Sequence, residues 1–117
     1  AVDGYRIPRE EYALRDPGAK NAIPALLNGL KKDGDEHVRS YCARALGLWV
    51  DSPEVYDALL LALSDASAAV RSSAGWELAT GPRRSEAEPA LKSLLSDPDA
   101  EVVDAVSRGL AQTAPQP

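Results

Sequence analysis

Apolar residues recur along this chain at helical spacing, and the recurrence comes three times over. Leu26, Leu27 and Leu30, then Leu59, Leu60 and Leu63, then Leu91, Leu94 and Leu95 lie on i, i+3, i+4 stripes, the inward side of an amphipathic helix. A second stripe follows each of these: Val38, Cys42, Ala45, Leu46 and Trp49; then Val70, Ala74 and Leu78; then Val102, Val106 and Leu110. Three residues before each repeated valine stands Asp35, Ser67 or Asp99, whose side-chain oxygen can cap the amides of a helix start. The first helices have start signals too. Ser52 precedes Pro53, Ser85 stands three residues ahead of Glu88, and Asn21 is the counterpart in the first unit.

One register runs through all three units. Val38, Val70 and Val102 are 32 residues apart, as are Leu46, Leu78 and Leu110, and Asp33, Asp65 and Asp97. The stretch "KKDGDEHV" of the first unit reads one residue longer than its counterparts, an insertion expected in a turn. A pair of helices this short cannot cover its own apolar face, so neighbouring pairs must stack. The expected architecture is all-α: a solenoid of three helical hairpins over residues 21–113, divided at about 21–50, 52–81 and 85–113. Before it, residues 1–20 carry a short helical candidate from Arg9 to Arg15 that would cover the open edge of the first hairpin. After it, residues 114–117 are a tail.

The units resemble the HEAT-like repeat of phycobilin lyase subunits, whose typical unit is similar to "aLxxLsDpdxxVRxxAaxALGxl". The matching residues are Asp33, Val38, Arg39, Ala43, Ala45, Leu46 and Gly47; Asp65, Val70, Arg71, Ala74 and Leu78; and Asp97, Pro98, Val102 and Leu110. The resemblance covers about residues 21–113 and implies a right-handed α-solenoid. The third unit departs from it, with Val103 in place of the Arg and Gly109 in place of an Ala, so the series of repeat arginines stops after two. As to function, the resemblance implies a non-catalytic module for protein–protein interaction. The alternative it brings is a subunit of a bilin lyase or similar modifying enzyme.

Composition narrows the picture. The apolar share is 44%, with no Phe or Met and two Trp, a mix suited to helices packed closely on small side chains. Eighteen acidic residues against thirteen basic ones give a net charge of -5, which opposes a polyanion, so no nucleic-acid partner is expected. No apolar run approaches the ~20 residues of a membrane span. A cytoplasmic protein without membrane contact is the expectation. Cys42 is the only cysteine, so it forms no internal disulfide and reads as a small apolar core residue. Leucine-rich edges at the terminal hairpins are expected dimer surfaces, or junctions to further chain if this is part of a larger protein.

Candidate chemistry is sparse, and no catalytic residue, metal site or cofactor is expected. The single histidine, His37, follows Glu36, whereas HEAT-repeat metal hydroxylases of the deoxyhypusine type use several His-Glu pairs; one reversed pair does not build such a site. His37 reads as a solvated residue of a helix first turn. Asp33, Asp65 and Asp97 are expected to finish turns, and Arg39 and Arg71 to pair with such acids in neighbouring units. Arg83 and Arg84 read as a solvated loop, and Trp49 as core or the plug of a repeat junction.

Trp76 breaks the pattern. It occupies the register of Arg44 and Arg108 and stands off the stripe of Val70, Ala74 and Leu78. If the second helices align, Arg44, Trp76 and Arg108 form one column on the concave face, which the small residues Ala43, Gly75, Ser107, Gly47, Ala79 and Ala111 would leave accessible. Trp and Arg are the residues that dominate binding hot spots. With Arg39 and Arg71 also facing outward, the face would suit an acidic or phosphorylated partner segment. The other reading has Trp76 folded over Gly75 and Ala79 as a surface filler.

Overall fold

In a computed structural model of the chain, residues 21–112 are described, and every regular element among them is helical. The α-helices are α1 (Ile23–Lys32), α2 (Glu36–Leu46), α3 (Pro53–Ala62), α4 (Ala68–Ala79), α5 (Arg84–Ser93) and α6 (Ala100–Gln112). Short 3₁₀ turns at Gly47–Trp49 and Leu94–Ser96 extend α2 and α5. The expected helix at residues 9–15 and the tail at 114–117 lie outside the described residues.

The same turn precedes α2, α4 and α6. Asp33, Asp65 and Asp97 each accept the amide two residues on, from Asp35, Ser67 and Asp99, at 2.8–2.9 Å. Those three residues then cap the helices: Asp35 accepts from the His37 amide, Ser67 from Ala69 and Asp99 from Glu101. Each cap satisfies an amide the helix start leaves unpaired. The turn has the same length every time, so the first unit carries no insertion; its Lys31 and Lys32 belong to the end of α1. The start signals of the first helices were less exact. Ser52 and Pro53 open α3, but α1 starts after Ala22 rather than Asn21, and α5 starts at Arg84, which puts Ser85 inside its first turn.

Helix α4 lies at the centre, packed between α2 and α6. Consecutive helices also pack on each other, α1 on α2 and α3 on α4, while α6 rests on the Leu94–Ser96 turn. One core runs through the described residues, with Leu46, Val55, Leu59, Val70, Leu78, Leu91, Val102 and Val106 completely buried. Burying such a side chain stabilises the fold by about 1.5–3 kcal/mol. Cys42 is buried with them, its thiol against Gly29 and its pKa pushed up by burial. Trp49 is half-buried against this core.

Three expectations need correction. Val38 is 38% exposed although Val70 and Val102 are fully buried, because α2 has no described helix on its outer side. Leu95 is 41% exposed, since the 3₁₀ turn rotates it away from the α-helical stripe that buries Leu91 and Leu94. Nor are Arg83 and Arg84 a solvated loop. The Arg83 guanidinium stacks 3.8 Å from the ring centre of buried Tyr56 and bonds Glu86, and Arg84 donates to the Leu110 carbonyl. The two arginines tie the α4–α5 connection to α3 and α6.

Candidate functional site

Because α2, α4 and α6 lie side by side, each turns the side opposite its apolar stripe outward. Trp76 is two residues from both Ala74 and Leu78, which places it about 200° around the helix from those buried residues. Arg44 and Arg108 hold the equivalent positions on α2 and α6 and are exposed; Trp76 itself is half-buried. Its cover comes from α6. A Cβ added at Gly109 would sit 3.5 Å from Trp76 Cε3, so the edge of the indole rests on the bare backbone of the neighbouring helix.

The small residues of this region have a different role from the one expected. Gly75 and Ala79 are buried in the seam between α4 and α6, and Ala43 is buried in the core, rather than left open beside the Trp76 column. At Gly75 a Cβ would lie 2.8 Å from Val106 Cγ2, and at Gly109 one would lie 2.7 Å from Ala79 Cβ. Lacking side chains there, the helices approach closely. Ser40 and Ser73 close the other seam with a 2.7 Å hydrogen bond. The Glu77 carboxylate lies over Gly47. Gly109 as the shelf for Trp76 was not foreseen. Its signal was present, since it is the residue where the third unit loses its alanine.

The face carries both signs of charge. Arg108 donates to Asp104 on its own helix at 3.2 Å, with both side chains largely in water, so a competing carboxylate exchanges with Asp104 at little cost. Tyr41 stands 56% exposed on the same flank of α2.

Arg39 and Arg71 lie at the turn end of the face, and their guanidinium groups are engaged. Arg39 Nε and Nη2 form a fork on the Asp65 carboxylate at 3.0 and 2.9 Å, while Nη1 reaches the Asp33 carbonyl. Arg71 does the same one unit on, with Asp97 at 2.9 and 3.1 Å and the Asp65 and Ala66 carbonyls. A bidentate fork fixes distance and angle together, so each arginine sets the spacing between successive turns. Val103 ends the ladder as expected.

The ladder makes stability pH-dependent. Burial raises the Asp65 carboxyl, but hydrogen bonds from Arg39 and the Ser67 amide outweigh it and hold the pKa below the ordinary value; the Arg71 fork and the Asp99 amide lower that of Asp97. A carboxyl with a depressed folded-state pKa contributes stability above its unfolded value, about 3.9, and loses it as pH falls through the folded value. We expect the melting temperature to fall from about pH 4 downward. An Asp97→Asn variant should show a lower melting temperature at pH 7 and a shallower acid slope, read by thermal circular dichroism between pH 7 and 2.

Other chemistry is thin among the described residues. An open groove of about 550 Å³ lies between the starts of α2 and α4, lined by Gly34, Asp35, Glu36, His37, Arg39, Ala66 and Ser67. Two of its lining residues are joined, Ser67 Oγ donating to the Glu36 carboxylate. His37 is in water as expected, 86% exposed beside Asp35, and the described residues hold no group of three or more metal-binding side chains. None of the described helices is long and apolar enough to cross a membrane.

Short helices joined by an identical capped turn, stacked through small-residue seams and keyed by an Arg–Asp ladder, define a helical repeat protein. A family model for HEAT repeats matches residues 56–117, more than half of the chain, and the protein belongs to the HEAT repeat family. No curated protein and no solved structure matches the chain. HEAT repeats generally mediate protein–protein interaction and are typically non-catalytic.

Proposed function

We propose that this protein is a non-catalytic interaction module, three HEAT-like hairpins in a right-handed solenoid, that binds a segment of a partner protein on its concave second-helix face. The observation that carries the reading is Trp76, a half-buried indole on the outward side of the central helix, in register with exposed Arg44 and Arg108. A ring already resting on Gly109 loses little side-chain freedom on binding and presents a fixed apolar surface. Arg108, paired on its own helix with exposed Asp104, offers its fork to a carboxylate or phosphate of the segment, and exposed Arg44 adds positive charge on the other side. Arg39 and Arg71, engaged in the ladder, contribute by fixing the spacing of the helices beneath the segment.

The test is site-specific photo-crosslinking in native lysate from positions 44, 76 and 108, with position 61, on exposed Leu61 of α3, as the control. One protein should crosslink from the three face positions and not from the control. Against that protein, once purified, Trp76→Ala should cost at least about 2 kcal/mol, roughly 30-fold in Kd. Retained affinity in a folded Trp76→Ala variant, or crosslinks from position 61 alone, would reject the face.

A further inference from the structure

We propose that the segment bound on the second-helix face is a polyproline II stretch crossing α2, α4 and α6 in turn, with an acidic residue, a proline and a second acidic residue at every third position; this rests on the reading of the face given above. The spacing of the helices carries it. At Gly75 and Gly109 an added Cβ would meet Val106 Cγ2 at 2.8 Å and Ala79 Cβ at 2.7 Å, and the Ser40 and Ser73 hydroxyls bond at 2.7 Å across the other seam. Helices packed this closely have axes about 8–10 Å apart. Arg44, Trp76 and Arg108 share one register position. A segment lying across the helices therefore meets a guanidinium, an indole and a guanidinium at intervals of about 8–10 Å.

Of the regular chain conformations, polyproline II fits that interval. A β-strand covers about 10 Å in three residues, but its side chains alternate, so residues three apart point to opposite faces. An α-helix takes about seven residues to advance 10 Å and buries a broad apolar stripe, whereas this indole is bordered by exposed Asp104, Ser107 and Arg108. Polyproline II has three residues per turn and rises about 3.1 Å per residue, so residues i, i+3 and i+6 share one side about 9.3 Å apart. Such segments dock on aromatic side chains, and here the ring is already fixed at its edge over Gly109. Glu77 leaves the crossing line open, because its carboxylate lies over Gly47, a turn beyond Arg44. The two ends call for carboxylates, since an arginine fork takes one through two parallel bonds. The partner class is a proline-rich segment that reads acid-x-x-Pro-x-x-acid.

Three end-capped peptides test this on the full chain, with binding followed by NMR on the Trp76 indole N–H. EPPPPPE holds its acids three residues to either side of the central proline. PEPPPEP has the same composition with the acids two residues away, and EGGPGGE keeps the spacing without the stiff conformation. EPPPPPE should bind about tenfold tighter than either of the others. Equal binding by PEPPPEP overturns the spacing, equal binding by EGGPGGE overturns the conformation, and no binding by EPPPPPE overturns the proposal outright. The arginines are tested by Arg44→Glu with Arg108→Glu, two exposed positions whose exchange leaves the core untouched. This variant should prefer KPPPPPK to EPPPPPE; an unchanged preference overturns the acidic ends. The face is judged separately. If EPPPPPE fails while positions 44, 76 and 108 still crosslink one lysate protein, the face stands and the polyproline segment is rejected. Undiminished binding of EPPPPPE to Trp76→Ala, followed on the amides of residues 44 and 108, rejects the face as well.

Discussion

Replacing Leu78 by Ala is expected to lower the unfolding free energy by about 2–5 kcal/mol, the largest loss from any single truncation in this fold. The cost of such a change is the lost burial of the removed carbons plus the cavity they leave, and the cavity term grows when the surroundings cannot collapse. Leu78 is fully buried on α4, the helix held on both sides by α2 and α6. Both neighbours are already in close contact with α4 through Gly75, Ala79 and the Ser40–Ser73 bond, so neither can move inward. Leu110, at the same register in the last helix, is only partly buried and has no described helix beyond it. Its truncation should cost less than half as much. Urea unfolding followed by circular dichroism decides the point. Equal losses at the two positions would show that the three units bear load alike and that α4 is not the keystone.

That asymmetry marks the boundary of what could be read from the chain itself. The capped turns were legible because a cap needs only local residues: Asp35, Ser67 and Asp99 act where they stand, and all three bond as expected. The arginine ladder was legible because its period matches that of the aspartates. Periodicity, however, treats equivalent positions as identical, whereas their surroundings depend on which unit is outermost. Val38 and Val70 share a register and differ in exposure for that reason alone. Arg83 and Arg84 look like a loop in sequence, and only the fold brings Tyr56 and the Leu110 carbonyl to them. Of the candidate face, the alignment of Trp76 with Arg44 and Arg108 was legible. Gly109 stood out in the chain as the alanine missing from the third unit, but its contact with the indole did not, because the ring belongs to the neighbouring unit.

Packing and the proposed binding face meet at that glycine. The seams need small residues so that α2, α4 and α6 can line up, and lining up brings Arg44, Trp76 and Arg108 to adjacent helices. A wider seam would separate the ring from its shelf. Stability of the α4–α6 contact and the shape of the outward face are therefore one property, and a change in the seam should be felt at Trp76.

Gly109→Ala puts this to a quantitative test, because two effects of opposite sign compete. A helix interior gains about 0.5–1 kcal/mol when Gly becomes Ala, through reduced backbone entropy of the unfolded chain. Against this, the new Cβ would stand 2.7 Å from Ala79 Cβ. Both atoms are fixed to helical backbone, so no rotamer change relieves the overlap and the helices must separate. Overpacking of this kind costs about 1–3 kcal/mol. The steric effect is expected to win, giving a net loss of about 1–2 kcal/mol in chemical denaturation. Gly34→Ala supplies the opposite case: nothing lies within 4 Å of its added Cβ and its φ is not positive, so it should gain about 0.4–1 kcal/mol. Because Trp76 Cε3 lies 3.5 Å from the same added atom, Gly109→Ala should also shift tryptophan emission to longer wavelength as the ring is lifted into water, while Gly34→Ala should leave it unchanged. A stabilised Gly109→Ala with unshifted emission would mean that the seam relaxes freely and that Trp76 does not depend on it.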